Sequence, residues 1–389
     1  MSAAAAPADP APAPPPPQQS FIGRAIALAA VPFIAVVGAL VVGAVIIIAS
    51  SLARGAFDLT LPLQAYANLL EGAFGSLRGI IFSIVSATPL ILGGMAVGLG
   101  FKAGLFNIGA QGQFLMGALG SAAVGAWAAG ESGIVAVPAA ILAGAALGAA
   151  WGFIPGALKA WTGAHEVVTT IMLNFIAGAL IGYLITGPLE APGFSFSRTG
   201  PLGNAELPTF FGTGIHLGVL IAFGLVPAVW WVVWRSTLGF EIRTVGANPD
   251  AARYAGMRPA MLTILTLTLC GMLAGLAGAG QILGVSHFMN ASYGTSIGFD
   301  SISIALLGRA HPVGITLAAL LFGAMRAGSG LMQIEAGIPV EIIDVIQATI
   351  LLFLAADLVI RRLLRLRAVR AQPEELQTVT KTYGGGASS

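Results

Sequence analysis

Two places in this chain carry residue types that catalysis uses, and each lacks the setting or partners its chemistry requires. Gly294-Thr295-Ser296-Ile297-Gly298 has the spacing of a hydrolase nucleophile, but that motif works on a sharp strand-to-helix turn of an α/β sheet, and here it abuts an apolar segment of membrane-helix character. His165-Glu166 lacks the second histidine a zinc site needs, and His165, His216, His287 and His311 are isolated from one another in sequence. None of the three lysines, Lys102, Lys159 and Lys381, follows a glycine, so no phosphate loop ending Gly-Lys-Ser/Thr exists and the chain cannot hydrolyse ATP through one. No convergent set of acids, bases or metal ligands can be assembled, which argues against an enzyme.

Two polar clusters remain. In the run Phe106 to Phe114, the amides Asn107, Gln111 and Gln113 interleave with glycines and with Phe106 and Phe114. Amides facing lipid would cost free energy unless paired, so these must face other helices or a wet cavity. They either bond helix ends or line a solute pathway, where amides would meet hydroxyls and base edges and an aromatic would stack on a ring. Asn174 sits mid-helix in the second cluster, Glu166 to Phe175, with the same two alternatives; Phe299 is a further pathway candidate. Arg326, inside an apolar segment, is expected to pair with Glu335, Glu341 or Asp344.

The loop Gly239 to Met257 reads as a short helix with a defined start and stop. Asn248 suits the N-cap, Pro249 the first position and Asp250 the positive end of the dipole, while Gly256 suits the stop. Asn248, Pro249, Asp250, Ala251, Ala252, Arg253, Tyr254 and Gly256 would form a mixed-charge helix between two membrane spans, a surface suited to docking a soluble partner.

The elements that must hold these residues are membrane helices. Of 389 residues 57% are hydrophobic and only 9% charged, and the mean hydropathy is +0.89, whereas a soluble domain carries about 25% charged residues. Segments of about 20 apolar residues fall near 25–50, 78–101, 107–129, 134–155, 166–187, 213–234, 260–284, 296–309, 313–333 and 340–360. The eighth is short enough to be broken or re-entrant. This predicts an all-α polytopic fold of about ten spans over residues 21–360. Before it lies an Ala/Pro-rich stretch at 1–20, too poor in packing residues to fold, and after it a basic tail at 361–389.

Ten spans place both termini on one side. Of 18 Lys and Arg, that topology puts Arg24, Lys102, Lys159, Arg235, Arg243, Arg253, Arg258, Arg309, the run from Arg361 to Arg370 and Lys381 on the same face, leaving only Arg54, Arg78, Arg198 and Arg326 elsewhere. Basic loops stay in the cytoplasm, so the termini and the 235–259 loop are expected there and the 188–212 loop outside. The arginines after the last span suit anionic lipid headgroups. Glycines at spacing four, Gly94 and Gly98, Gly144 and Gly148, Gly271 and Gly275, Gly280 and Gly284, are expected to let helices approach closely. The lone Cys270 excludes an intrachain disulfide.

The Gly239 to Met257 loop resembles the coupling loop of permease subunits in bacterial ABC importers for simple sugars and nucleosides. Leu105 to Gly117, Glu166 to Ala177, Gly298 to Gly314 with its Ala305-Leu306-Leu307-Gly308-Arg309-Ala310-His311-Pro312 run, and Leu321 to Gly330 resemble the same family in order. The Phe106 to Gln113 and Thr170 to Asn174 runs look like its nucleoside-type members, since ribose-type members carry an acidic signature where this chain has amides. The resemblance implies a second permease subunit, two cytoplasmic ATPase subunits that hold ATP and Mg while this chain binds no cofactor, and an external solute-binding lipoprotein. It implies the bacterial plasma membrane, with lipid around the chain and no nucleic acid. It further implies Asn248 to Gly256 as the coupling helix and two inversely related halves near 78–187 and 260–360. Competing readings are an ion-coupled carrier, for which Asp300 and Asp357 are the nearest intramembrane acids, and a permease for branched-chain amino acids.

Overall fold

The computed structural model describes residues 21–355 apart from 54, 56 and 211; the 1–20 stretch and the basic 361–389 tail lie outside the described residues. Helices account for most of it. α1 (Phe21–Ala53), the short α2 (Leu61–Phe74), α3 (Leu77–Lys102), α4 (Ala110–Trp127), α5 (Gly133–Thr162) and α6 (Glu166–Ile185) lead into a two-stranded hairpin, β1 (Thr209–Phe210) and β2 (Ile215–His216). After α7 (Leu217–Arg235) come α8 (Thr237–Ala247), α9 (Pro249–Tyr254), α10 (Pro259–Gln281), α11 (Ile297–Leu307), α12 (Pro312–Ala336) and α13 (Glu341–Ala355).

Among the described residues seven helices, α1, α3, α5, α6, α7, α10 and α12, are long and apolar enough to cross a membrane. The three other expected segments are helical but differ from ordinary spans. α4 carries Gln111 and Gln113, and its first thirteen residues, Ala110 to Ala122, are all buried inside the protein, so it is shaped for a helical surround rather than for lipid. α11 has 11 residues and rises about 16 Å, half of a hydrocarbon core of about 30 Å. α13 is described over 15 residues. The α2 helix went unmarked because its 14 residues fall short of a span. The chain is thus an all-α polytopic membrane protein.

Helix ends follow local chemistry. Ser76 accepts a hydrogen bond from the Gly79 N–H at the start of α3, and Gly163 and Gly337, in left-handed conformation, stop α5 and α12. α5 lies on α10 through glycine faces: a Cβ placed on Gly148 would run into the Gly271 carbonyl, and one on Gly271 into that of Gly148. Backbone meets backbone there, as the four-residue spacing led us to expect. Gly280, by contrast, faces open space.

The packing relates two runs of four helices. α3 lies on α12 as α10 lies on α5, and α4 lies on α10 as α11 lies on α3; exchanging α3–α6 with α10–α13 reproduces the pattern. Connectivity gives the runs opposite senses, because α3 ends on the α9 side and α10 starts there. Each run also contains a helix that starts inside the body. After α3 the chain turns back through residues 103–109 into α4, and after α10 it passes through a π-turn at Ile282–Ser286 and returns inward to α11. That second return is clasped by the 188–212 loop. The Arg198 guanidinium lies 4.2 Å from the Phe194 ring and 4.0 Å from the Phe288 ring, and Thr199 N–H donates to the Met289 carbonyl at 2.9 Å.

Candidate translocation site

The two inward-starting helices meet end to end. Gln111, in the first turn of α4, donates from Nε2 to the Thr295 carbonyl at 2.7 Å and accepts at Oε1 from the Gly298 N–H at 2.9 Å. Only glycine fits at 298, since a Cβ would strike the Gln111 backbone. The starts of α4 and α11 are thereby fixed to one another, and each brings the positive end of its dipole to the junction.

Asn174 of α6 closes the other side of α4. Its Oδ1 accepts from the Gly112 N–H at 2.7 Å, one of the donors that a helix start leaves without a partner, and its Nδ2 donates to the Ile108 carbonyl at 3.0 Å. Asn107 and Gln113 pair reciprocally, at 2.9 and 3.1 Å, and are 0% and 1% exposed. All four amides therefore spend their donors and acceptors inside the protein. The aromatics divide differently. Phe114 is fully buried, Phe106 is half-buried against Phe101 with centroids 5.3 Å apart, and Phe299 is 47% exposed at the start of α11.

Beside Phe299 lies a charged cluster. Arg326 of α12 donates from Nη2 to Asp300 Oδ2 in a close ion pair and to Ser296 Oγ at 3.1 Å. Ser296 Oγ itself donates to Asp300 Oδ2 at 2.8 Å. The expectation that Arg326 pairs with Glu335, Glu341 or Asp344 is corrected: the partner is Asp300, and Asp344 is the next acid within electrostatic reach of it. Sequence order concealed this because α11 starts deep in the body, which lifts Asp300 to the level of Arg326. Arg326 stands 14 residues from the start of α12 and 10 from its end, or about 21 and 15 Å. A charge at such depth costs roughly 2.5–3.5 kcal/mol even on the mildest scale, so it must face protein or water. The i, i+4 spacing of Ser296 and Asp300 was the sequence signal for the cluster.

On the α9 side, the expected short helix forms with the expected boundaries. Asn248 Oδ1 accepts from the N–H groups of Asp250 and Ala251, both at 3.0 Å, Pro249 opens α9, and Gly256 follows it at φ +84°. Ala252 is buried, while Tyr254 is 94% exposed and Arg253 pairs with Asp250 at 3.3 Å on the surface. α8 sits directly on the turn after α3: a Cβ on Gly246 would collide with the Lys102 carbonyl. Nearby, Lys159 of α5 holds the buried Glu166 of α6 at 2.6 Å. Among the described residues no three His, Cys, Asp or Glu side chains stand together to hold a metal ion.

Residues 79–355 match the family described as the permease component of the branched-chain amino acid transport system. The chain is 38% identical to a guanosine ABC transporter permease protein, NupP, of Bacillus subtilis, over 85% of this chain and 94% of that protein. It is 36% identical to a glucose ABC transporter permease protein, TsgB13, of Haloferax volcanii, over 83% and 86% of the two chains. A nucleoside ABC transporter permease protein, NupB, of Lactococcus lactis is 34% identical over 88% and 94%. No solved structure matches significantly. With most of its described helices inside the match and near-complete coverage of these relatives, the chain belongs to this family of transport-system permeases.

Proposed function

We propose that the chain is the membrane-spanning permease subunit of an ABC importer that carries nucleosides or related sugars. The observation that carries this is the meeting of α4 and α11 at Gln111 and Gly298, two helices whose starts converge inside the membrane body, as they do at solute sites of transporters built from inverted repeats. The identities to guanosine, nucleoside and glucose permeases supply the substrate class. In this reading the four buried amides frame the pathway, and the exposed Phe299 on α11 belongs to its wall. Phe106, in the turn before α4, and Phe114, on α4, back that wall.

α9 would be the coupling helix, pressing Tyr254 and Arg253 into an ATPase subunit that holds ATP and Mg, and would place both termini in the cytoplasm of a bacterial plasma membrane. Through Gly246 on the Lys102 carbonyl, movement of α8 and α9 would reach the turn that leads into α4. A second permease would complete the pathway, and an external solute-binding protein would deliver the solute on the Arg198 side. Rigid-body rocking between outward and inward states follows only if the ATPase and the binding protein prefer different states.

Uptake of labelled guanosine, glucose and leucine by cells with and without the chain tests the substrate class. Loss of guanosine or glucose uptake supports it; loss of leucine uptake alone overturns it in favour of the amino-acid class in the family description. The Asp300–Arg326 pair favours an ion-coupled carrier as the second reading, and gradient-driven uptake by the purified chain in vesicles, without an ATPase, would establish that instead.

A further inference from the structure

The charged cluster at the start of α11 has more bonding capacity than the protein uses. Asp300 takes both of its bonds, from Arg326 and from Ser296, at Oδ2, and Arg326 makes both of its bonds from Nη2. Asp300 Oδ1 and Arg326 Nε and Nη1 have no hydrogen-bond partner among the described residues. The two side chains keep 16% and 26% of their surface exposed, Ser296 is exposed, and the exposed Phe299 is the residue before Asp300. Lipid offers no donors or acceptors for such groups, so the face they share must meet water or other polar groups.

We propose that Asp300, Arg326 and Ser296 form a polar contact on the pathway wall for a vicinal diol of the passing solute, with Phe299 covering the apolar face of its ring. One hydroxyl would donate to Asp300 Oδ1 while its neighbour accepts from the guanidinium, so the ion pair offers an acceptor and a donor side by side. Guanosine and glucose, named for two of the relatives, differ in size and in their rings but share adjacent ring hydroxyls. This rests on the function proposed above and gives the same wall its chemical preference.

The chain's one cysteine, Cys270, is buried, so introduced cysteines can be labelled against a silent background. Phe299→Cys and Ser296→Cys, in membranes holding the chain with its transporter partners, are treated with a small charged thiosulfonate; Leu142→Cys, on the exposed flank of α5, serves as the lipid-facing control. Labelling at 299 or 296 but not at 142 is expected, slowed severalfold by adenosine and by glucose but not by 2′,3′-dideoxyadenosine. Asp300→Asn in the Phe299→Cys chain should abolish the protection while labelling continues. Failure of both 299 and 296 to react, protection by the dideoxy compound as strong as by adenosine, or protection that survives Asp300→Asn would each overturn the proposal. Uptake by the parent chain is measured alongside: if it carries no nucleoside or sugar the importer reading fails on that result, whereas the labelling reports separately on the wall and its diol contact.

Discussion

Gln111 and Gly298 hold the starts of α4 and α11 together: the amide of one residue takes the backbone N–H of the other at 2.9 Å and reaches past it to the Thr295 carbonyl at 2.7 Å. The contact joins the two runs of helices through a residue that belongs to the first and a backbone that belongs to the second. It fixes where Phe299 and Asp300 emerge, because both lie in the turn that Gln111 holds.

Replacing Gln111 with Ala should leave the Gly298 N–H and the Thr295 carbonyl without partners in a buried place. Each such group costs about 1–3 kcal/mol, enough to loosen the first turn of α11 while the long apolar helices stay inserted. The expected outcome is normal membrane yield, a lowered melting temperature in detergent and loss of uptake. Gln111→Glu should be as damaging, since a carboxylate cannot donate to Thr295. Full activity in both variants would show that the junction is not held by this amide.

Close approach of α5 and α10 makes a sharper stability prediction. A methyl group on Gly148 would meet the Gly271 carbonyl, and neither backbone can swing aside as a side-chain end can. Gly148→Ala or Gly271→Ala should destabilise by about 1–3 kcal/mol through overpacking. Gly280→Ala, at an open position of the same helix, should be neutral. Thermal unfolding of the three variants side by side checks the difference.

Particular residues show what the sequence made legible. The α9 helix could be read from Asn248, Pro249 and Gly256 because capping is a local matter of one side chain and the next two N–H groups. The glycines at 144, 148, 271 and 275 could be read because a spacing of four marks one helix face. Arg326 could not be matched to Asp300, since their contact depends on how far inside the body α11 begins. Nor could the amides at 107, 111, 113 and 174 be divided between pathway and frame: composition shows that they need partners, and only the fold shows that each finds them in backbone or in another amide. The α2 helix escaped for a simpler reason, being helical without being long enough to span.

The surface of α9 should matter for coupling and little for stability. Tyr254 is almost fully exposed and the exposed Arg253 pairs with Asp250, a surface pair worth about 0–1 kcal/mol. Arg253→Glu and Tyr254→Ala should therefore leave melting unchanged and reduce ATP-dependent uptake, with loss of ATPase co-purification under mild detergent. Gly256→Trp places a side chain at φ +84°, where L residues are strained, and should add a local stability loss to the same defect. Wild-type uptake by the first two variants would remove α9 from the coupling surface.

The last prediction concerns pH and His216, which ends β2 beneath the 188–212 loop. Its ring is buried, neither nitrogen has a hydrogen-bond partner, and it lies against Gly284 at the π-turn. Burial first, and the charge of His287 second, push its pKa down to about 4 from the ordinary 6.5. His287 in turn stands 3.6 Å from Glu206. A histidine whose folded pKa is depressed binds its proton more readily in the unfolded chain, so its contribution is level above pH 6.5 and destabilising as pH falls from 6.5 towards 4. At about 1.4 kcal/mol for each pH unit, roughly 3 kcal/mol is lost across that window. His216→Leu should remove that slope while leaving the melting of the protein above pH 7 close to the parent's. Melting profiles of parent and variant that run parallel between pH 7 and 4.5 would mean that the imidazole is protonated in place, with a partner for its proton in the folded protein.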